Sequence, residues 1–309
     1  MASLRPEPGP LYSVYFAPRG YVRMTQMGMQ IAQRHLSTFD RLIGIIGDAG
    51  SGKSLLVSGM FPGLELTNDD SGVNVRPLPL LEVGETGFYQ PHTYHLDVRF
   101  EQAFTQPHVL AQAVLNALSA GRRVVVEHFE LIYPLLNVNA QLLIGIGDEI
   151  IVCRPTLFGP EPEDISDIVH KSIKYRRMAH SAEDLSERFL DKQGIKDKEY
   201  EHDDVRHGFM LRFRQQPQFD LAMLESYVKG KIERDLPISY VDNDHIRVGD
   251  DLHRCTGPRM HVSSTGRIEN FRLLPQVHYD VLTDTYLLVG LVGDERTKGI
   301  RDLNKIDKL

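Results

Sequence analysis

The sequence predicts an α/β chain in two parts, a three-layer domain built on a parallel sheet and then a smaller α+β domain. Three observations carry this. A buried apolar run, a glycine-rich turn and a helix follow one another from Leu42 onward, and helices then alternate with short Val/Ile strands as far as Cys153. At Arg154 the texture changes, where PTLFGPEPED brings three prolines and a glycine. The division reads as 1–160 and 161–309, and a chain of 309 residues with 41% hydrophobic content is long enough for two cores.

The elements follow in order. After a proline-bearing lead-in, residues 21 to 36 carry apolar groups at helical spacing, and Leu42 to Ile46 is a continuous apolar run, the mark of a buried strand. SLLVSGMF, from Ser54, has the periodicity and small residues of a helix packed on a sheet. Residues 61 to 81 are rich in Pro, Gly, Asn and Asp and read mostly as loop. PHVLAQAVLNALSA, 107 to 120, is an amphipathic helix stopped by Gly121 and followed by the strand Val124 to Glu127. Helix-like sequence around 132 to 143 leads to a strand over Glu149 to Cys153. In the second part, Ile165 to Phe189 is one long charged helix, and ISYVD, HIRVG, NFRLL and TYLLVGLVG are strand candidates.

Composition excludes some functions. Lys and Arg number 35 against 42 Asp and Glu, a formal −7, so no global basic field draws the chain to DNA, and any RNA contact is local. Cys153 and Cys255 lie far apart in dissimilar contexts, which argues for a reducing compartment. Pro6, Pro8 and Pro10 stand where a signal peptide would need a charged start and an apolar run, and no segment has membrane-spanning length. The expectation is a cytoplasmic protein with no membrane partner.

The strongest motif lies between the first strand and its helix. Gly47, Asp48, Ala49, Gly50, Ser51, Gly52, Lys53 and Ser54 spell G-x-x-x-x-G-K-[ST], with Leu55 next in the helix. Such glycines let backbone N–H groups turn inward as an anion nest at a helix start, Lys53 reaches the β- and γ-phosphates, and the Ser54 hydroxyl coordinates Mg2+. The cofactor expected is ATP or GTP with Mg2+. Phosphoryl transfer also needs carboxylates. Glu127 ends the Val124 strand, where it can orient the metal or merely cap the strand. Asp69 and Asp70 in LTNDDSG can face the γ-phosphate or simply form a turn, and Asp97 in HLDVRF is a further acid.

This half resembles P-loop kinases of the uridine kinase and phosphoribulokinase type over about residues 40 to 155. VVVEHFELIY is similar to their strand ending in Glu-Gly, with His128 where glycine is usual. The resemblance implies phosphoryl transfer to a small hydroxyl acceptor. Lys174, Arg176 and Arg177 are candidates for the lid cations of such kinases, or for a solvated helix face.

Residues 253 to 274, HRCTGPRMHVSSTGRIENFRLL, resemble the second additional domain of alanyl- and threonyl-tRNA synthetases, an editing-type domain. Its signature is a Cys-Gly-Gly-Thr-His-Val stretch, then Thr-Gly-Glu-Ile and a Phe-Arg/Lys strand. Cys255, His261-Val262, Thr265-Gly266, Ile268 and Phe271-Arg272 match in order, and the resemblance covers about 165 to 290. The family's H-x-x-x-H is met by His180 and Asp184, aspartate standing in the second place, and Pro258 and Arg259 widen the Cys-to-His spacing. Positions i and i+4 share a helix face, so His180 and Asp184 can chelate one ion with Cys255 and His261, a set that suits tetrahedral Zn2+. The alternative is a retained fold whose polar residues only hydrogen-bond. His202, His207 and His253 read as surface histidines.

Three functions follow. The first is a Mg-dependent phosphotransferase whose second domain binds the acceptor or a metal. The second is a trans-acting aminoacyl-tRNA deacylase, with tRNA as partner and the nucleotide site regulating it. The third is a nucleotide-switched binding module. The chain has no tRNA-charging core and is not a synthetase.

Overall fold

The computed structural model describes residues 12–67, 78–82, 92–255, 257, 259–293, 300 and 303. In chain order the first elements are β1 (Tyr12–Phe16), α1 (Tyr21–His35), β2 (Leu42–Gly47), α2 (Lys53–Met60), β3 (Thr93–Asp97), α3 (Val98–Glu101), α4 (Pro107–Ser119), β4 (Arg123–Glu127), α5 (Phe129–Leu136), β5 (Leu142–Ile146) and β6 (Glu149–Cys153). They are followed by α6 (Pro162–Lys192), β7 (Tyr200–Val205), β8 (Gly208–Phe213), α7 (Leu221–Glu233), β9 (Ile238–Asp242), β10 (His245–Val248), β11 (Asp251–Arg254), β12 (Arg272–Leu273), β13 (His278–Asp280) and β14 (Thr285–Leu291). The chain divides into two compact units, Met1–Tyr15 with Val22–Lys171 and Phe16–Tyr21 with Ser172–Leu309. The division therefore falls inside α6 rather than at residue 160: Pro160 precedes the helix and Pro162 is its first residue, so neither interrupts it. Among the described residues, no helix is long and apolar enough to cross a membrane.

The first unit has a six-stranded sheet in the order β1-β6-β5-β2-β4-β3. β2 pairs in parallel with both β4 and β5, and β3 pairs in parallel with β4. The sheet is not parallel throughout, as the sequence suggested: β6 runs antiparallel to β5. Only Gly147 and Asp148 separate the two strands, and so short a link closes a hairpin but cannot make a parallel crossover. The helix-like stretch around 132 to 143 also resolves differently. α5 stops at Leu136 because Asn137 turns left-handed at φ 54°, and the chain re-enters the sheet as β5. Every residue of β2 and β5 is buried, which gives continuous apolar runs rather than alternation. Leu110 and Val114 of α4, Phe129 and Ile132 of α5, and Ile165 and Val169 of α6 belong to this core. The parallel pairing brings the ends of β2, β3 and β4 into register, with Asp97 opposite Glu127 and Ile45 opposite Glu127.

The second unit has a three-stranded sheet, β11-β10-β9, and a sheet in the order β12-β14-β8-β7 with β13 paired to β14. All its described pairings are antiparallel. β8 shows the two-residue period of a strand buried on both faces. Phe209, Leu211 and Phe213 join a core with Leu185 and Phe189 of α6 and Leu224 and Val228 of α7, whereas Met210 joins a smaller one with Val289 and Leu291. The same core fixes the Leu185 and Phe189 face of α6 against the sheet, and the second candidate site, at His180 and Asp184, lies on the other side of the helix.

Candidate functional site

The loop from Gly47 to Ser54 joins β2 to α2, with Gly50 at φ 75° and Gly52 at φ 91°, a region that glycine enters without steric cost. Its geometry is held from within. The Ser51 amide donates to the Asp48 carbonyl at 3.1 Å, the Ala49 amide to Asp48 Oδ1 at 2.8 Å, and Lys53 Nζ to the Asp48 carbonyl at 3.0 Å. The first amides of α2, at Lys53, Ser54 and Leu55, precede the first i−4 acceptor and have no partner inside the helix. The Leu56 amide is the first to close a turn, on the Gly52 carbonyl at 2.9 Å.

Lys53, Ser54 and Glu127 come together at the ends of β2 and β4. The Ser54 hydroxyl donates to Glu127 Oε1 at 3.0 Å, and Lys53 Nζ stands 3.9 Å from Glu127 Oε2, the lysine and glutamate side chains only 6% and 2% exposed. A residue that the sequence did not single out completes the group: His95 of β3 lies 3.2 Å from Glu127 Oε1 through Nε2. The Thr67 amide donates to His95 Nδ1 at 3.1 Å, so Nδ1 is an acceptor and Nε2 carries the proton toward the carboxylate. Burial pushes the Glu127 carboxyl up, but the His95 hydrogen bond, the Lys53 ammonium and the Ser54 hydroxyl outweigh it and hold the group below its ordinary value. Glu127 is thus a carboxylate, with Ser54, Lys53 and His95 as its partners. His128 takes the left-handed turn after it at φ 57° and heads α5. Asp97 is a cap, its Oδ1 accepting the Phe100 amide at 3.0 Å. Asp69 and Asp70 lie outside the described residues.

In the second unit His180, Asp184, Cys255 and His261 converge, with ligand atoms all within 4.8 Å of one another. Cys255 Sγ is 3.3 Å from His180 Nε2 and 3.7 Å from His261 Nε2, His180 Nε2 is 3.8 Å from Asp184 Oδ1, and the two imidazoles stack at 4.4 Å. Donors around a tetrahedral zinc stand about 3.3–3.8 Å apart, given bonds of about 2.0–2.3 Å, and the separations of 3.3, 3.7 and 3.8 Å lie in that range. The fourth, 2.7 Å between His261 Nε2 and Asp184 Oδ2, is a hydrogen bond in which the imidazole donates. Gly257 closes the cradle: its amide donates to Cys255 Sγ at 3.3 Å, and a Cβ there would meet His180 Cε1 at 2.8 Å.

Electrostatics favours the same reading of the donors. Burial, reinforced by the His261 charge, pushes His180 down to about 3, so its imidazole is neutral and available. Burial raises the Asp184 carboxyl, but His180 and His261 together hold it far below the ordinary range. Burial and then the Asp184 charge push the Cys255 thiol far up, so without a cation it keeps its proton.

The surrounding polar residues were only partly legible. His180, Glu183, Asp184 and Glu187 fall at i, i+3, i+4 and i+7 of α6, a pattern visible in the sequence once the helix is drawn. His202 is exposed, as expected of a surface histidine, and its Nδ1 lies 3.2 Å from both Glu183 and Glu187. His253 is partly buried, and His207 stacks on Tyr175 at 3.9 Å. Arg19, from the segment before α1, donates to Glu183 Oε2 at 2.8 Å. Arg176 is neither a lid cation nor solvated: it is buried and donates to the Pro18 carbonyl at 2.7 Å.

No protein-family model matches the chain, and no curated protein matches it. Among solved structures it is similar to the ornithine aminotransferase from Toxoplasma gondii at 11% identity, over 83% of this chain and 71% of that one, with a TM-score of 0.23. A likeness that low carries no argument about fold or function.

Proposed function

We propose that the first unit is a P-loop domain of the kinase type that binds ATP or GTP with Mg2+ and transfers the terminal phosphoryl group to a small hydroxyl acceptor. One observation supports this above the rest: the Ser54 hydroxyl and the Glu127 carboxylate meet at the head of α2, beside Lys53, where a strand, a glycine turn and a helix follow one another. On this reading the loop amides and Lys53 hold the polyphosphate, Ser54 and Glu127 hold Mg2+ and its water, and His95 keeps Glu127 aimed. The magnesium supplies charge neutralisation at the phosphates. Cys153 and Cys255 are both buried and unpaired, which supports a cytoplasmic setting.

The second unit, read as an editing-type domain, binds Zn2+ through His180, Asp184, Cys255 and His261. That cluster also favours a second reading, a trans-acting aminoacyl-tRNA deacylase regulated by nucleotide. Incubation with γ-labelled ATP or GTP and a metabolite pool separates the two. Label on a hydroxyl acceptor supports the kinase, and label released only to water argues against it. Chelator-sensitive hydrolysis of mischarged tRNA, lost in Cys255→Ala, supports the deacylase.

A further inference from the structure

The polar face of α6 extends beyond the four-residue cluster. One helical turn on, Asp184, Glu187 and His253 of β11 form a second group whose ligand atoms lie within 4.8 Å of one another. Its acidic side chains meet histidines rather than lysine or arginine, Asp184 with His261 at 2.7 Å and Glu187 with His202 at 3.2 Å. Among the described residues neither Asp184 nor Glu187 is ion-paired with a lysine or arginine: Arg19 is taken by Glu183 at 2.8 Å and Asp204 at 3.1 Å, and Arg188 by Asp251 at 2.6 Å. His253 Nε2 is buried and has no hydrogen-bond partner among the described residues. Two acidic side chains without a lysine or arginine partner, next to a buried imidazole nitrogen without a hydrogen-bond partner, put three metal-ligating groups in one place.

We propose that Asp184, Glu187 and His253 hold a second divalent cation beside the four-residue cluster, with Asp184 common to both. Two carboxylates and one imidazole suit a borderline transition ion such as Mn2+, Fe2+, Co2+ or Zn2+, and the absence of a thiolate separates this site chemically from the one containing Cys255. Glu183 and His202 border it, Glu183 being held by Arg19. A carboxylate shared by two ions is the arrangement by which paired metal sites clamp a water between them. The inference rests on reading the four-residue cluster as a metal site only for the word second, since the three residues form a group of their own.

Cobalt(II) distinguishes the sites, because a thiolate ligand gives a charge-transfer absorption that a carboxylate and imidazole set does not. The full chain is titrated with Co2+, following absorption, with bound metal counted by equilibrium dialysis and folding checked by circular dichroism. The expected result is two equivalents, one with the thiolate absorption, falling to one in both Glu187→Gln and His253→Ala with that absorption intact. One equivalent in the parent, carrying the thiolate absorption, overturns the second site and leaves the cluster. Two equivalents unchanged in both variants also overturn it. One equivalent without the absorption, lost in Glu187→Gln, keeps this site and removes the cluster instead. No bound cobalt overturns both.

Discussion

The hydroxyl of Ser54 donates to Oε1 of Glu127 at 3.0 Å, joining the first turn of α2 to the end of β4. The two residues are 73 positions apart and meet only because β2 and β4 pair in parallel, Ile45 opposite Glu127. On the proposed function, a carboxylate at that place orients a metal-bound water rather than holding the polyphosphate. Glu127→Gln, which keeps the size and the hydrogen bonds, should lower turnover roughly 10²- to 10³-fold while changing nucleotide affinity less than about 10-fold. Steady-state kinetics together with a binding titration checks the split, and equal losses in both would contradict it.

Glu127 also predicts a pH dependence. Against its burial, His95, Lys53 and Ser54 hold the folded carboxyl below its ordinary value. A depressed carboxyl contributes stability that is present above the unfolded value of about 4.3 and is lost as pH falls through the folded value. The stability margin of the parent over Glu127→Gln should therefore narrow between pH 5 and pH 3.5. Urea denaturation of both proteins at the two pH values measures it, and a margin that widens on acidification would oppose the assignment.

The position of α2 depends on close contact with α1. A Cβ at Gly59 would stand 2.1 Å from the Thr25 carbonyl oxygen and 3.1 Å from Gly28 Cα. Since the obstacle is backbone, one helix must shift, and Gly59→Ala should cost about 1–3 kcal/mol of unfolding free energy. Nucleotide affinity should fall with it, because the loop is the N-terminal extension of the displaced helix. Chemical denaturation that shows no loss would mean the two helices are not packed as described.

Zinc should release protons in a defined number. The His180 imidazole is already neutral, with its value near 3, whereas the Cys255 thiol is held protonated by burial and by Asp184. Binding as a thiolate therefore frees about one proton per Zn2+ at pH 8, from Cys255. Titration calorimetry in buffers of different ionisation enthalpy reads that number directly, and Cys255→Ser should reduce it. A value near zero would exclude thiolate ligation.

Legibility in the sequence followed how local each signal was. The glycine loop and α4 carry their periodicity or motif within a dozen residues, and their ends lie close to where pattern alone put them. β5 was hidden because LLIGI is apolar at every position, so nothing local separates a strand buried on both faces from the helix-like stretch before it. β7 was hidden for the opposite reason: YEHDDV is nearly all polar, yet Asp204 is buried against Arg19. His95 could not be found from TYHLD, because its role comes from a neighbour on β4 and an amide at Thr67. The four residues of the second cluster were singled out through the resemblance to the editing-type domain, whereas Glu187 and His253 come into view only when β11 is brought beside α6.

The central claim is that the Gly47–Ser54 loop with Lys53 holds a nucleoside triphosphate, and calorimetric titration with Mg-ATP and Mg-GTP, on the parent and on Lys53→Ala, tests it most directly. The account predicts saturable heat with at least one nucleotide and an affinity about 10- to 100-fold weaker in Lys53→Ala, the worth of one charge-assisted contact of roughly 1.5–3 kcal/mol. No heat with either nucleotide, or a Lys53→Ala protein that binds as tightly as the parent, would contradict it.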